Sequence, residues 1–235
     1  MKKSVFVFAL LFSCSMIFAE KIIFSAASMS GQTGGSGTTK LSGDAFIKTE
    51  SMEIMADSIE LSGDDYKKII AKGNIAGKNT DSGMEFKCDS MTYDRDTKIA
   101  LLEGNVSLID SENDVKASAQ LIEYNQDTEM AVLQIEVKLT QKKNICTSAY
   151  AVYEKQKQFL ELSGNAQVKQ EQDTFRAQII SLNLDTQDIT LSGNVKGSVT
   201  DTNKKEEKNP ETDVQKAPAA VEKTVEPEAE VENKD

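Results

Sequence analysis

Between Phe86 and Val106 the chain reads FKCDSMTYDRDTKIALLEGNV, with apolar or small residues at Phe86, Cys88, Met91 and Tyr93. That is alternation with one slipped step. A strand sends alternate side chains to one face, so the extra residue at Asp89-Ser90 predicts a bulge that keeps both pairs facing inward. After the polar turn Asp94 to Lys98 come Ala100, Leu102, Val106 and Leu108, spaced around Gly104-Asn105. Glycine and asparagine both tolerate positive φ, so this pair predicts a second bulge or corner.

The same pattern recurs through most of the chain. Its first half returns as Ile54, Ala56, Ile59, Leu61; as Ala117, Ala119, Ile122, Tyr124; as Cys146, Ser148, Ala151, Tyr153; and as Phe175, Ala177, Ile180, Leu182. Its second half returns with Gly-Asn at Gly73-Asn74, Gly164-Asn165 and Gly193-Asn194, while Ile135-Glu136 stands in that place in the third copy. The asparagines lie 31, 60 and 29 residues apart, which gives five copies with a period near 30. Inward positions two apart and regular polar turn clusters exclude a helical reading. Each copy is a two-strand unit that cannot bury its apolar face alone, so neighbours must stack around one continuous interior. The predicted fold is all-β: an elongated, open β-jellyroll of antiparallel strands, built as two opposed sheets or one rolled sheet.

Composition adds boundaries. Residues 1–19 carry Lys2 and Lys3 ahead of an apolar run that is shorter than a membrane span and reads as a secretory signal. Leu11-Phe12-Ser13-Cys14 also resembles a relaxed lipobox, which would make Cys14 a lipidated N-terminus. Residues 20–40, rich in Gly, Ser and Thr, read as a flexible linker; Lys40 follows Thr39, so the segment fails the phosphate-loop spacing. The repeats occupy 41–199. All three prolines of the chain lie in 200–235, and 6 Lys stand against 11 Asp and Glu from Asp201 onward, which reads as a disordered acidic tail.

The net charge is −11, and −13 once Lys2 and Lys3 are removed with the signal. Such a chain repels nucleic acid, and its charge argues against polybasic docking on anionic membranes. It has no histidine, so His-based triads and His-bearing zinc sites are excluded. Asp89 and Asp94 have no partner at catalytic spacing, and no enzyme activity, metal site or cofactor is expected. Cys88 and Cys146 fill small inward slots; a disulfide between them would have to span the third copy. The Gly-Asn corners read as backbone devices.

The repeated "A/C-D-x-Φ-x-Y/L … L-x-G-N-V" of Ala56 to Ile75, Cys88 to Val106, Ser148 to Ala166 and Ala177 to Val195 resembles the OstA-like fold of the LptA family of periplasmic lipopolysaccharide-transport proteins. The Asp slot departs from it at Gln120, Ala149 and Gln178. The resemblance covers about 41–199. It implies a jellyroll that accepts the acyl chains of lipopolysaccharide or a similar glycolipid in its apolar interior. It also implies head-to-tail stacking of copies between inner-membrane LptC-like and outer-membrane LptD-like partners. Strand edges near Phe46 to Ile54 and Ile189 to Gly197 would mediate that stacking. The residues expected to line the interior are Ile59, Phe86, Met91, Leu102, Ile122, Leu133, Phe159, Phe175, Ile180 and Leu191. Lys67, Lys68, Lys142 and Lys143 are candidates for a rim that meets cargo phosphates, or are solvated turn residues. Ordinary core packing is the competing role for the interior residues, and a structural or adhesive surface protein with a dry core is the competing function.

Overall fold

A computed structural model describes residues 21–31 and 37–200. The expected signal segment with Cys14, part of the expected linker and the acidic tail beyond Thr200 lie outside the described residues.

Among the described residues fourteen strands follow one another: β1 (Ile23–Ser25), β2 (Ser28–Gly31), β3 (Thr39–Lys48), β4 (Met52–Ser62), β5 (Lys68–Asn79), β6 (Glu85–Asp94) and β7 (Ile99–Asp110). Then come β8 (Val115–Asn125), β9 (Met130–Gln141), β10 (Asn144–Glu154), β11 (Phe159–Gln170), β12 (Asp173–Asn183), β13 (Ile189–Ser192) and β14 (Lys196–Ser198). From β3 to β13 every strand pairs antiparallel with the next, in one sheet whose two edges stay open. The sheet is a meander, as the repeat requires.

Nearly every long strand carries a register shift at its middle, as between Lys72 and Ile75 or between Glu103 and Val106. At these points Gly73, Gly104, Gly164 and Gly193 have φ of 71 to 76°, and each following asparagine is also at positive φ. The corners form a spine that divides every strand into two halves, and the sheet folds along it. Inward residues on both sides of the spine join one buried cluster that runs from Leu41 to Leu184.

The fold begins earlier than the repeat count implied. β1 and β2 pair with β3, and Gly43-Asp44, at φ 79 and 45°, occupy the corner position. The amide of Ala27 donates to the Gly43 carbonyl at 2.9 Å, and the Ala27 methyl fills the space beside Gly43. Residues 23–31 and 39–48 therefore make a sixth, irregular copy that begins inside the expected linker of 20–40, and the N-terminal edge is β1 and β2, not 46–54.

Hairpin turns end in a recurring device. Asn79, Asp94, Asp110, Asn125 and Asn183 each accept, on one side-chain oxygen, the backbone N–H groups two and three residues on. The side chain thereby replaces the next ladder bond and turns the chain. The Thr97 N–H holds the Asp94 carboxyl below its ordinary value. Folding thus favours the carboxylate, a contribution present above about pH 4 and lost as pH falls through the folded value. Asp94→Asn keeps the acceptor, as Asn125 does. It is expected to leave the melting temperature at pH 7 unchanged and to reduce the acid loss of stability, read from thermal melts between about pH 7 and pH 3.

Candidate functional site

The interior follows from strand parity. Ile59, Met91, Leu102, Ile122, Leu133 and Ile180 are fully buried, with Phe86 close behind, in the single core cluster. Leu191 is half-buried and packs against that cluster. Phe175 lies opposite the buried Val168, half-buried beside Gly197 at the C-terminal edge. Phe159 corrects the expectation. Leu160 and Leu162 are the inward residues of the first half of β11, so Phe159, paired with Glu154 and Asn183, stands half-buried on the outer face.

This interior is closed. A void enclosed by Met52, Met84, Phe86, Leu102, Leu108 and Tyr124 measures about 10 Å³, room for one water at most. Cys88 and Cys146 are free, buried thiols pushed up to about 12 by burial, and act as small core residues.

What closes the interior is a seam. Folding along the spine brings turns from opposite ends of the strands together, linking residues 40 to 46 positions apart. Three links recur at the repeat period. Tyr124 Oη donates to Ser82 Oγ at 3.4 Å; Tyr153 Oη donates to Asp110 Oδ2 at 2.8 Å; Gln141 Nε2 donates to the Leu184 carbonyl at 3.0 Å. At the middle link, Lys155 Nζ also meets Glu112 Oε2 at 2.5 Å, and Asn113 donates to Asp110. Burial alone would lower the Lys155 pKa, but Glu112 and the nearby Asp110 and Glu129 raise it, so the ammonium stays charged. Burial, then Asp110, drives the Tyr153 pKa up, so its hydroxyl keeps its proton. Tyrosine suits this position because its ring packs in the core while its hydroxyl reaches the polar seam. Sequence reasoning missed the seam, although its tyrosines belong to the repeated motif.

The spine carries a second device. Asn74 Nδ2 donates to both Asp57 carboxylate oxygens at 3.0 and 3.2 Å, and Asn105 Nδ2 donates to Asp89 at 2.8 Å. The Asp of the motif therefore serves the corner asparagine. In the third copy Gln120 Nε2 donates to Glu136 at 3.0 Å, so the departures at both positions compensate one another. Ile135, at φ 65° and 58% exposed, is left in a conformation that disfavours a β-branched residue. Ile135→Gly is expected to stabilise the fold by about 1 kcal/mol, measured by urea unfolding.

The expected rim lysines are largely engaged locally. Lys67 lies 3.8 Å from Asp96, Lys143 pairs with Glu171, and Lys142 donates to the Leu184 carbonyl at 3.4 Å. Among the described residues no cluster of side chains could hold a metal ion, and no helix is long and apolar enough to cross a membrane.

Comparison with known proteins turns on one match. The model of the LptA/(LptD N-terminal domain) lipopolysaccharide-transport protein family fits residues 27–130 and 146–188. That is 147 of 235 residues, and the span includes β2 of the irregular first copy. A matching solved structure is LptH of Pseudomonas aeruginosa, the LptA-homologous periplasmic component of the lipopolysaccharide transport device. It is 11% identical and aligns over 77% of this chain and 96% of its own, with a TM-score of 0.24, too low to carry an argument. No curated protein matches. The repeat, the corner pairs and the family match agree: the chain belongs to the LptA/LptD N-terminal-domain family of lipopolysaccharide-transport proteins.

Proposed function

We propose that this protein is a non-enzymatic periplasmic carrier that holds the acyl chains of lipopolysaccharide or a similar glycolipid in its interior and passes them from the inner to the outer membrane. The observation that carries the reading is the unbroken apolar interior, which runs from Leu41 to Leu184 along the whole sheet. Acyl chains offer nothing to hydrogen-bond, so a lined apolar channel is what they require; each buried methylene contributes about 0.8 kcal/mol. Ile59, Phe86, Met91, Leu102, Ile122, Leu133, Ile180 and Leu191 would form the lining, with Phe175 at the C-terminal mouth. Methionine adapts to chains of varied shape.

Cargo must displace packed side chains, and the seam is where the walls can part. Each strand runs unbroken in the chain across the spine, and backbone ladders join its neighbours on both sides of the corner, whereas the seam is held mainly by side chains. Open edges at β1/β2 and β13/β14 support stacking on further copies and on LptC-like and LptD-like partners.

Mass spectrometry of lipid extracted from native protein tests the reading: acyl lipid at near-stoichiometric yield is expected. The closed interior favours a second reading, a structural β-repeat protein with a dry core. Protein that is free of lipid after native purification, and that takes up none from added lipopolysaccharide, would establish that second reading instead.

A further inference from the structure

The spine also sorts charge between the outer faces of the two walls. On the wall that ends in the turns at Asn79, Asp110 and Gln141, strand register sets Lys87, Lys116, Lys138, Lys169, Arg176 and Lys196 in two outward rows. All six are exposed, and among the described residues none of them makes an ion pair. The only acids in those rows, Glu53 and Glu85, are matched by Lys48 at 2.6 Å and Lys78 at 3.5 Å. Along its turn edge, Glu112 and Glu171 pair with Lys155 and Lys143, and Asp110 is turned inward and buried. Asp173 accepts the Thr200 amide, and Glu50, Asp81 and Asp114 are further acids exposed there. The opposite wall carries Glu60, Glu103, Glu123 and Glu161 on its outer face, against Lys40, Lys68 and Lys72.

Apolar side chains stand among the lysines of the basic wall. Met55 is 57% and Ile145 41% exposed, and Phe46, Met55, Ala76 and Ile109 line an open groove of about 430 Å³ with Lys78 and Lys87 beside it.

From these two observations we infer that the basic wall docks on an anionic phospholipid bilayer. Lysines meet the phosphates while Met55, Phe46, Ile109 and Ile145 reach the interfacial region. The net charge of −11 does not forbid this. The walls of a rolled sheet are about 10 Å apart, beyond the Debye length of about 8 Å at physiological salt, so the acidic wall is screened from the surface. A bare phosphate polymer would use the lysines and leave the interleaved apolar residues unexplained. Docking is independent of what the interior carries, because it uses the other face of the strands.

Flotation of the full chain with vesicles tests it, using phosphatidylcholine with and without about 30% phosphatidylglycerol, at about 150 and 500 mM NaCl. Binding to the anionic vesicles at low salt is expected, falling at least tenfold at high salt or on neutral vesicles. Removing three wall lysines, Lys87→Gln, Lys138→Gln and Lys169→Gln, should weaken it about 100-fold, since each contributes about fivefold near the surface. The charge-matched change Lys40→Gln, Lys68→Gln, Lys72→Gln on the other wall should leave it intact. Circular dichroism checks that both variants fold. No flotation, equal loss in both variants, equal binding to neutral vesicles, or self-association in place of flotation overturns the inference.

Discussion

Gly77→Val is expected to destabilise the protein by about 3 kcal/mol, seen as a melting temperature lower by about 10 °C. Gly77 faces inward between Ile54 and Phe86, and a β-carbon there would lie 2.1 Å from Phe86 Cζ. No positive φ is involved, so the loss is steric. The second-site change Phe86→Leu, which shortens the obstructing side chain, should restore most of the stability and isolate the coupling. This pair also bears on transport. A Gly77→Val protein that melts like the parent would mean the Phe86 ring moves aside freely, which is the behaviour the proposed cargo entry requires.

The next largest effect is expected at the seam. Asp110→Ala removes a buried carboxylate that accepts two turn amides at 3.2 and 3.3 Å, the Tyr153 hydroxyl at 2.8 Å and the Asn113 amide at 2.8 Å. It leaves the Tyr153 hydroxyl at the edge of the core with its acceptor gone, and about 3 kcal/mol should be lost. Asp110→Asn preserves the turn acceptor and should lose less. Hydrogen exchange gives the sharper reading. If the seam is the parting line, exchange should rise around 110–115 and 153–158 while the laddered residues beside the spine, such as Leu101 to Glu103, stay protected. A uniform rise over all strands would mean that the seam has no separate opening.

The meander, the corners and most of the interior were legible because strand parity and a 30-residue period are local signals. Position without register misleads. Phe159 looked like lining because it is large and adjoins Leu160, yet one step along a strand reverses the face. The sixth copy was hidden by glycine-rich composition and by Asp44 in the asparagine slot, although Gly43 stands 30 residues before Gly73 and was readable. The odd third copy is explained only by contact: Gln120 and Glu136 exchange the donor and acceptor roles that Asp57 and Asn74 hold elsewhere. The seam and the basic wall depend on pairs about 43 residues apart and on rows that cross many strands, neither of which leaves a mark in a short window.

Because β4 to β11 each pair only with the strands before and after them in the chain, nothing in the ladder measures total length. Folding can then start at any hairpin and spread, with closure loops of some 30 residues and no long-range search across the sheet. An inserted copy would add two strands, about 10 Å of interior, and one more seam link, without altering any existing pair. Evolution can therefore adjust the length of this interior in steps of one repeat, as a ruler is cut to length.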